Sequence, residues 1–536
     1  MKMLPLALSL LSFFGVAHAK VSVDKHIDST IYKFNVDSVQ VASKMLDGQK
    51  FSVLALEGVK GYEAIDYKIG NPELPIISFN VAADDLNDIR IREISEDGKS
   101  FMRVLNLKPN LASVPKIAGA KYQFTKSLVY NSREEFPSVH YSVIPNGQIR
   151  GQKQFLVKLF PLSFVGANQE VKLARSYQIE VKNPANKSST ATSKTMLYIV
   201  GEKFKTSASL TQYIALKNGL NEKSLRLEVK KGMKPLDIRN QIKQIYKANP
   251  DLSYALIIGD AEDVVGYTSA NNMIGFTDHY FAAIDTNDYE SDIFTPDLFV
   301  GRIAVANEAQ LATVLKKYTR YIKGTFTNTN WLGELSFLAT NDRYEVAEGS
   351  HNYAIDTYTK EKGFHGNYPL ANQEGGDKLY AITHNAENQQ VMNSITEGRA
   401  IIDYSGHGAN TFWDAPRVEQ SDVRALKHTS LPFVVSNACI TGDYRVSESF
   451  AETWQRHEWG AIMFWGSMDS TYWDEDDILE RAMFDGIFKF SKKEFGEITK
   501  YANAEVSRFY SGEGRSKYYW ETYHMFGDPS IQLRLK

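Results

Sequence analysis

Cysteine is almost missing from this chain: Cys439 is the only one in 536 residues. A lone thiol cannot form an intrachain disulfide, which leaves it core packing, an intermolecular bridge or reactivity. Long apolar runs are missing too. No segment after the leader approaches the roughly 18 uninterrupted apolar residues of a membrane-spanning helix. Charge of one sign is also lacking. The net value is −3, which gives no electrostatic footprint for nucleic acid or an anionic membrane. Internal repeats, low-complexity tracts and heptads do not occur. Asp278-His279-Tyr280 has no second histidine at metal-ligand spacing, so it is not a zinc pattern.

What is present begins with a leader. Lys2 supplies the positive start, Leu4 to Val16 a short apolar core and Ala17-His18-Ala19 a small-x-small cleavage site, so residues 1–19 read as a signal peptide. The mature protein is expected to be secreted, in the periplasm or outside the cell. In an oxidising compartment an exposed thiol is a liability unless it is used. Residues 20–181 read as β-rich. Phe51 to Leu56, Gln154 to Leu159 and Tyr177 to Val181 are short β-branched or aromatic runs between Gly, Pro, Asn and Asp turns, and a β-sandwich is the natural architecture. Residues 182–195 are small, polar and free of aromatics. They read as an exposed linker that contains Lys187 and Lys194.

From Met196 strands and helices alternate, the grammar of an α/β sheet. Leu197 to Val200, Leu225 to Val229 and Tyr254 to Ile258 read as strands. Ile238, Ile242, Ile245 and Tyr246 make one apolar helix face, and Leu311, Val314, Leu315, Tyr318 and Ile322 another. Both are core stripes without chemistry.

Chemistry gathers at two later strand ends. Leu431 to Val435 is a buried-strand run that closes on Ser436, Asn437 and the turn glycine Gly442, with Cys439 at the end of the strand. Ala400 to Tyr404 repeats the design and ends in Gly406-His407-Gly408, with His407 32 positions before Cys439. In open parallel sheets the carboxyl ends of strands are where reacting groups collect. If the two strands are neighbours, the imidazole supplies the thiol with its base. Singly, a buried cysteine is usually an inert small hydrophobe and a strand-end histidine a hydrogen-bonded surface group. The pair on glycine-flanked strand ends favours catalysis.

Tyr404-Ser405-Gly406-His407-Gly408, Leu431-Pro432-Phe433, Ala438-Cys439 and Gly442-Asp443 resemble the gingipain-type cysteine peptidases, relatives of the caspases in fold and in their His–Cys pair. The similarity runs from about Met196 to Phe526-Gly527-Asp528-Pro529-Ser530. Gly70 to Pro75, followed by Ile76 to Val81, resembles the start of that family's propeptide. The resemblance implies a caspase-like α/β catalytic unit of two adjacent subdomains, residues 196–330 and 331–536, behind the all-β prodomain. It implies Cys439 as nucleophile, His407 as base and acid, and the N–H groups of Gly408 and Cys439 as oxyanion donors. Asp342 would orient the histidine; the plainer alternative is a helix-capping or loop aspartate. Ser405, Tyr472, Trp473 and Asp476 would form the primary pocket, as in the lysine-specific member, with Asp474 to Asp477 also suited to open a helix. Glu345 and Glu348 fall near the acid of the arginine-specific members but out of register.

The expected function is a secreted cysteine endopeptidase, made as a zymogen, that cleaves proteins or peptides after lysine in preference to arginine. Its own propeptide would be its inhibitor, and Lys187 or Lys194 the processing point. A transpeptidase or ligase using the same thioester, and a non-catalytic adhesin on the same fold, are the alternatives. The chemistry needs no cofactor. Asp285, Asn287, Asp288, Glu290 and Asp292 form an oxygen-rich loop that could hold a structural calcium ion, although it lacks the EF-hand glycine and spacing.

Overall fold

The computed structural model describes residues 21–36, 38–59, 61–94, 100–173, 176–185, 194–270, 275–428 and 430–536. The signal-peptide assignment and Lys187 fall outside the described residues.

The amino-terminal region is all β. One four-stranded sheet joins Ser22–Lys25, Ser29–Phe34, Ser176–Lys182 and Ile89–Ile94, and another joins Glu63–Ile65, Pro75–Ala82, Gln152–Leu159 and Tyr141–Ile149. Alternation sets the inward face. Along Ser176–Lys182 the buried residues are Tyr177, Ile179 and Val181. They pack with Phe34 against Ile77, Phe79 and Val157 of the second sheet, with the Phe34 and Phe79 rings 5.3 Å apart. A three-stranded sheet (Leu162–Val165, Glu170–Leu173, Ser100–Arg103) and a hairpin (Val39–Leu46 with Gln49–Leu56) complete the region.

The rest is built on one ten-stranded sheet. Its strands are β1 (Lys194–Gly201), β2 (Glu222–Val229), β3 (Leu252–Ile258), β4 (Phe299–Ile303), β5 (Leu335–Ala339), β6 (Asp377–Tyr380), β7 (Ile401–Ser405), β8 (Phe433–Asn437), β9 (Met463–Ser467) and β10 (Tyr523–Phe526). Their spatial order is β2-β1-β3-β4-β10-β9-β8-β7-β5-β6. Strands β1 to β4 run parallel to one another, as do β5 to β9. The last strand fills the seam, parallel to β4 and antiparallel to β9. The two halves therefore run in opposite directions, and the carboxyl ends of β5, β7, β8 and β9 share one edge. Helices cover the faces as their patterns dictate. Ile238, Ile242 and Tyr246 are buried on α1 (Pro235–Ala248), and Leu311, Val314, Leu315 and Tyr318 on α2 (Glu308–Lys323).

The seam is where the Phe526–Ser530 motif acts. A side chain at Gly301 would place its Cβ 2.1 Å from the Gly527 carbonyl oxygen and 2.9 Å from Pro529, so only glycine lets β4 approach the closing turn. Asp528 accepts hydrogen bonds from Ser530 and Tyr213 and lies 3.3 Å from the Lys217 ammonium. Gly301→Ala is expected to cost about 1–3 kcal/mol through overpacking against backbone that cannot yield; a thermal unfolding midpoint unchanged from the wild type would contradict this account of the seam.

Candidate active site

Four strand ends position the site. The register pairs Ala339 of β5 with Ser405 of β7, and Ser405 with Asn437 of β8, so the loops carrying Asp342, His407 and Cys439 follow side by side. Gly408 lets two of them close, since a Cβ there would meet the Ala438 Cβ at 2.9 Å. Beyond β9, Thr471 and Tyr472 lead into α4 (Trp473–Phe488). Arg343, directly after Asp342, and Ile440, directly after Cys439, have φ of 44° and 48°. For a β-branched residue this left-handed backbone is strained, and such strain is characteristic of functional turns.

His407 Nε2 lies 2.8 Å from Asp342 Oδ2. Its Nδ1 lies 2.9 Å from the carbonyl oxygen of Lys116, a residue of the amino-terminal region. Both nitrogens face acceptors, so the ring donates from both only in its doubly protonated form. Cys439 Sγ lies 3.6 Å from the same carbonyl oxygen and accepts the Thr471 N–H at 3.2 Å. The thiol is 8 % exposed. Burial raises its pKa, against hydrogen bonds from Thr471 and the Lys116 charge, which lower it.

Lys116 occupies the pocket beside the thiol. Its N–H donates to the Thr471 carbonyl at 2.9 Å, and the Trp473 N–H donates to the Val114 carbonyl at 3.1 Å, so 114–116 lie antiparallel to 471–473. Its ammonium lies 2.7 Å from Asp476 Oδ2 and donates to the Asn437 carbonyl at 2.5 Å. The Trp473 ring covers it, 4.7 Å from nitrogen to centroid. Asp476 Oδ1 accepts from the Tyr519 and Tyr523 hydroxyls at 2.9 and 2.6 Å. After Lys116 the chain turns back, with the Ile117 N–H donating to the Pro115 carbonyl at 2.8 Å.

The structure thus brings together Cys439, His407, Asp342, Trp473 and Asp476. Ser405 ends β7 beside Asn437, at the pocket's edge. Tyr472 contributes main chain only, because its ring lies under Arg515 at 3.6 Å and against Tyr518. Neither the Gly408 nor the Cys439 N–H donates to the Lys116 carbonyl. Lys194 is half-exposed but belongs to the sheet, not to the linker. It opens β1 and pairs with Glu494, and Thr195 after it is fully buried. The expected calcium donors do not converge either. Asn287 accepts from Lys243, Glu290 pairs with Lys517, Asp285 accepts from Gly151 N–H, Asp292 from Thr286 N–H, and Asp288 from the Glu290 N–H. That donor set does not fit a calcium cage. Lys116, Asn437, Thr471, Tyr519 and Tyr523 went unread in the sequence. No local pattern there marks any of them for this role.

Comparison with known proteins agrees with this geometry. The model of peptidase family C25 matches residues 189–534, and the model of the C25 propeptide matches residues 21–208. The chain belongs to peptidase family C25. Gingipain R1 of Porphyromonas gingivalis is 22 % identical over 519 residues, which cover 87 % of this chain and 50 % of that protein. Lys-gingipain HG66 of the same organism is 24 % identical over 311 residues, covering 52 % of this chain and 17 % of that one. The chain thus spans half the length of gingipain R1 or less of the relatives it matches. Among solved structures, the Arg-specific cysteine proteinase gingipain R superposes with a TM-score of 0.55 at 20 % identity, over 65 % of this chain and 81 % of that one. A complex of Porphyromonas gingivalis pro- and mature domains gives 0.54 at 21 %, over 64 % and 80 %. The shared fold is a large α/β sheet with an all-β propeptide region.

Two outcomes test this geometry. Lys116→Met leaves Asp476 buried without its counter-charge, a loss of roughly 3–5 kcal/mol, and the full chain should unfold at lower temperature than the wild type. A second test concerns pH. The Ser113 hydroxyl donates to Glu475, whose carboxyl burial and neighbouring Asp474 push up to about 8 from 4.5. The folded chain therefore holds a proton there that the unfolded chain releases, so this group's stabilising contribution falls as pH rises from about 4.5 to about 8. Glu475→Gln should flatten the decline in melting temperature across that window, and an unaltered slope would refute the assignment.

Proposed function

We propose that the chain is a cysteine endopeptidase made as a zymogen, exported by its signal peptide and cleaving after lysine. The observation that carries the reading is Lys116: its side chain fills the pocket while its carbonyl touches both reacting groups. A substrate lysine would take the same place. Sγ of Cys439 attacks the carbonyl carbon, with its proton taken by His407 Nδ1, and Asp342 holds the ring through Nε2. The tetrahedral oxyanion turns toward the N–H groups of Gly408 and Cys439. The C–N bond breaks, His407 returns the proton to the leaving amine, and water hydrolyses the thioester through the same base.

Preference for lysine follows from donor counting. An ammonium offers three N–H groups, and the pocket supplies one carboxylate oxygen, one carbonyl and one aromatic face. A guanidinium brings five donors in a planar fork that this set leaves partly unpaired. With the pocket filled by Lys116, the amino-terminal region acts as the inhibitor. Activation then needs a cut in the linker, and Lys187 is the favoured point, because a cut after Lys194 would first require β1 to unzip.

Cys439→Ala and His407→Ala should each lower kcat/KM by at least about a thousandfold with the fold intact. Asp476→Asn should lower kcat/KM for lysine substrates by roughly a hundredfold, since truncating a buried charge pair costs about 2–5 kcal/mol. Cleavage-site profiling on a peptide library decides the specificity: acidic or apolar residues before the cut would overturn the pocket assignment. Amino-terminal sequencing of the active form should find Ser188.

A further inference from the structure

Beneath the pocket lies a buried polar cluster that the mechanism does not use. Asp403 of β7, Glu480 of α4 and His351 of α3 (Tyr344–Ala354) bring their ligating atoms within 4.8 Å of one another. His351 and Asp403 are 0 % exposed and Glu480 1 %. His351 Nε2 lies 2.9 Å from the Leu338 carbonyl, which can only accept, so Nε2 carries a proton. Nδ1 faces Glu480 Oε1 at 2.7 Å, a separation that holds a shared proton. A zinc ion bonded to both atoms at about 2.0–2.1 Å would spread them to roughly 3 Å or more. Asp403 Oδ2 has no hydrogen bond and lies 3.8 Å from Nδ1. With one proton between His351 and Glu480, the cluster carries one negative charge whenever Asp403 is ionised.

That charge sits one residue from the pocket. The Asn437 side-chain amide spans Asp403 Oδ1 and Glu480 Oε2, both at 3.3 Å, while the carbonyl of the same residue receives the ammonium. Glu480 also follows Asp476 by one helical turn on the inward face of α4. Asp476 touches the ammonium, and Glu480 is the layer below it.

We infer that Asp403, Glu480 and His351 form a second, anionic layer of the pocket. They act as positioning residues that fix the Asn437 carbonyl and favour a charged side chain over an uncharged one of equal length. The inference rests on the lysine reading of the pocket. Burial pushes the Asp403 and Glu480 carboxyls well up, with the Glu480 charge adding to the rise at Asp403 and the Asp477 charge to that at Glu480, and the ammonium acts in the opposite sense on both. Asp476, Asp477 and Arg481 of α4, Glu348 of α3, Tyr380 of β6 and Tyr523 of β10 are the other charged or titratable groups that face the cluster. An occupied pocket therefore favours the ionised form of Asp403, and an empty one its proton.

The test compares peptides carrying lysine or norleucine before the cut, using active enzyme. In the wild type the lysine-to-norleucine ratio of kcat/KM should rise with pH as Asp403 ionises. Asp403→Asn should lower that ratio by about tenfold, chiefly through KM for the lysine peptide, and flatten its pH dependence. Should that variant fail to fold, Glu480→Gln serves in its place, with the same expected fall in the ratio. Equal losses on both peptides, or an unchanged ratio and pH profile, would overturn the inference. A wild-type enzyme indifferent to lysine over norleucine would overturn the pocket reading itself, and this inference with it.

Discussion

An ammonium taken out of water must recover inside the protein what the solvent gave it, or the group cannot stay charged. The Lys116 side chain is wholly buried, and the architecture around it can be read as the means of meeting that demand. Asp476 comes from the first turn of α4, the Asn437 carbonyl from the end of β8 and the Trp473 ring from the start of the same helix. Each is fixed in turn. Asp476 is held by two tyrosine hydroxyls. Trp473 is pinned through its N–H to the Val114 carbonyl, and Asn437 is clamped between two carboxyls. Loss of any one support leaves a buried charge short of a partner, which costs far more than an exposed pair ever contributes.

The same contacts explain how a substrate-like segment can sit on a thiol without being an ordinary substrate. The Lys116 carbonyl oxygen rests on His407 Nδ1, away from the backbone amides that would stabilise an oxyanion. A nitrogen that donates to that carbonyl cannot at once accept a proton from the thiol. The Ile117 N–H, which would become the leaving amine, is engaged by the Pro115 carbonyl. Burial meanwhile keeps Cys439 toward its thiol form. Binding is complete while each element of the chemistry is held out of position, which is how binding and turnover can be separated on one surface.

How far the sequence told this depends on the range of each signal. His407 and Cys439 were legible because a β-branched run closing on a glycine turn is a local pattern, and register then brought the two strands together. Asp342, Trp473 and Asp476 came from motif resemblance, and the geometry gathers them. Lys116 could not be placed. Its partner Cys439 is 323 residues away, and nothing local separates it from other lysines in the β region. Asn437 acts through a backbone carbonyl, which every residue possesses, so its identity carries no trace of that role. Tyr519 and Tyr523 look like core aromatics and are core aromatics; only their hydroxyls do more. Lys194 misled because polar composition marks exposure, whereas β1 begins at that residue and draws it into the sheet. The acids from Asp285 to Asp292 misled similarly, since oxygen-rich composition says nothing of where each oxygen points.

The direction of the last strand shows why the ends of the fold matter to its centre. Were β10 parallel to β9, its carboxyl end, Phe526, would lie at the edge where β5, β7, β8 and β9 deliver the site. It runs the other way, with Tyr523 paired to Ser467 at the carboxyl end of β9. Only that direction brings the Tyr523 hydroxyl to Asp476, at 2.6 Å. The closing turn at Gly527 and Asp528 then stays at the opposite edge, packed against Gly301 and bonded to Tyr213 of the first half. One short strand thus ties the counter-charge of the pocket to the seam between the halves. Among the described residues the first half supplies no reacting group to the site, yet it braces the strand whose tyrosine orients Asp476. Packing at the seam and charge in the pocket are consequently parts of one constraint.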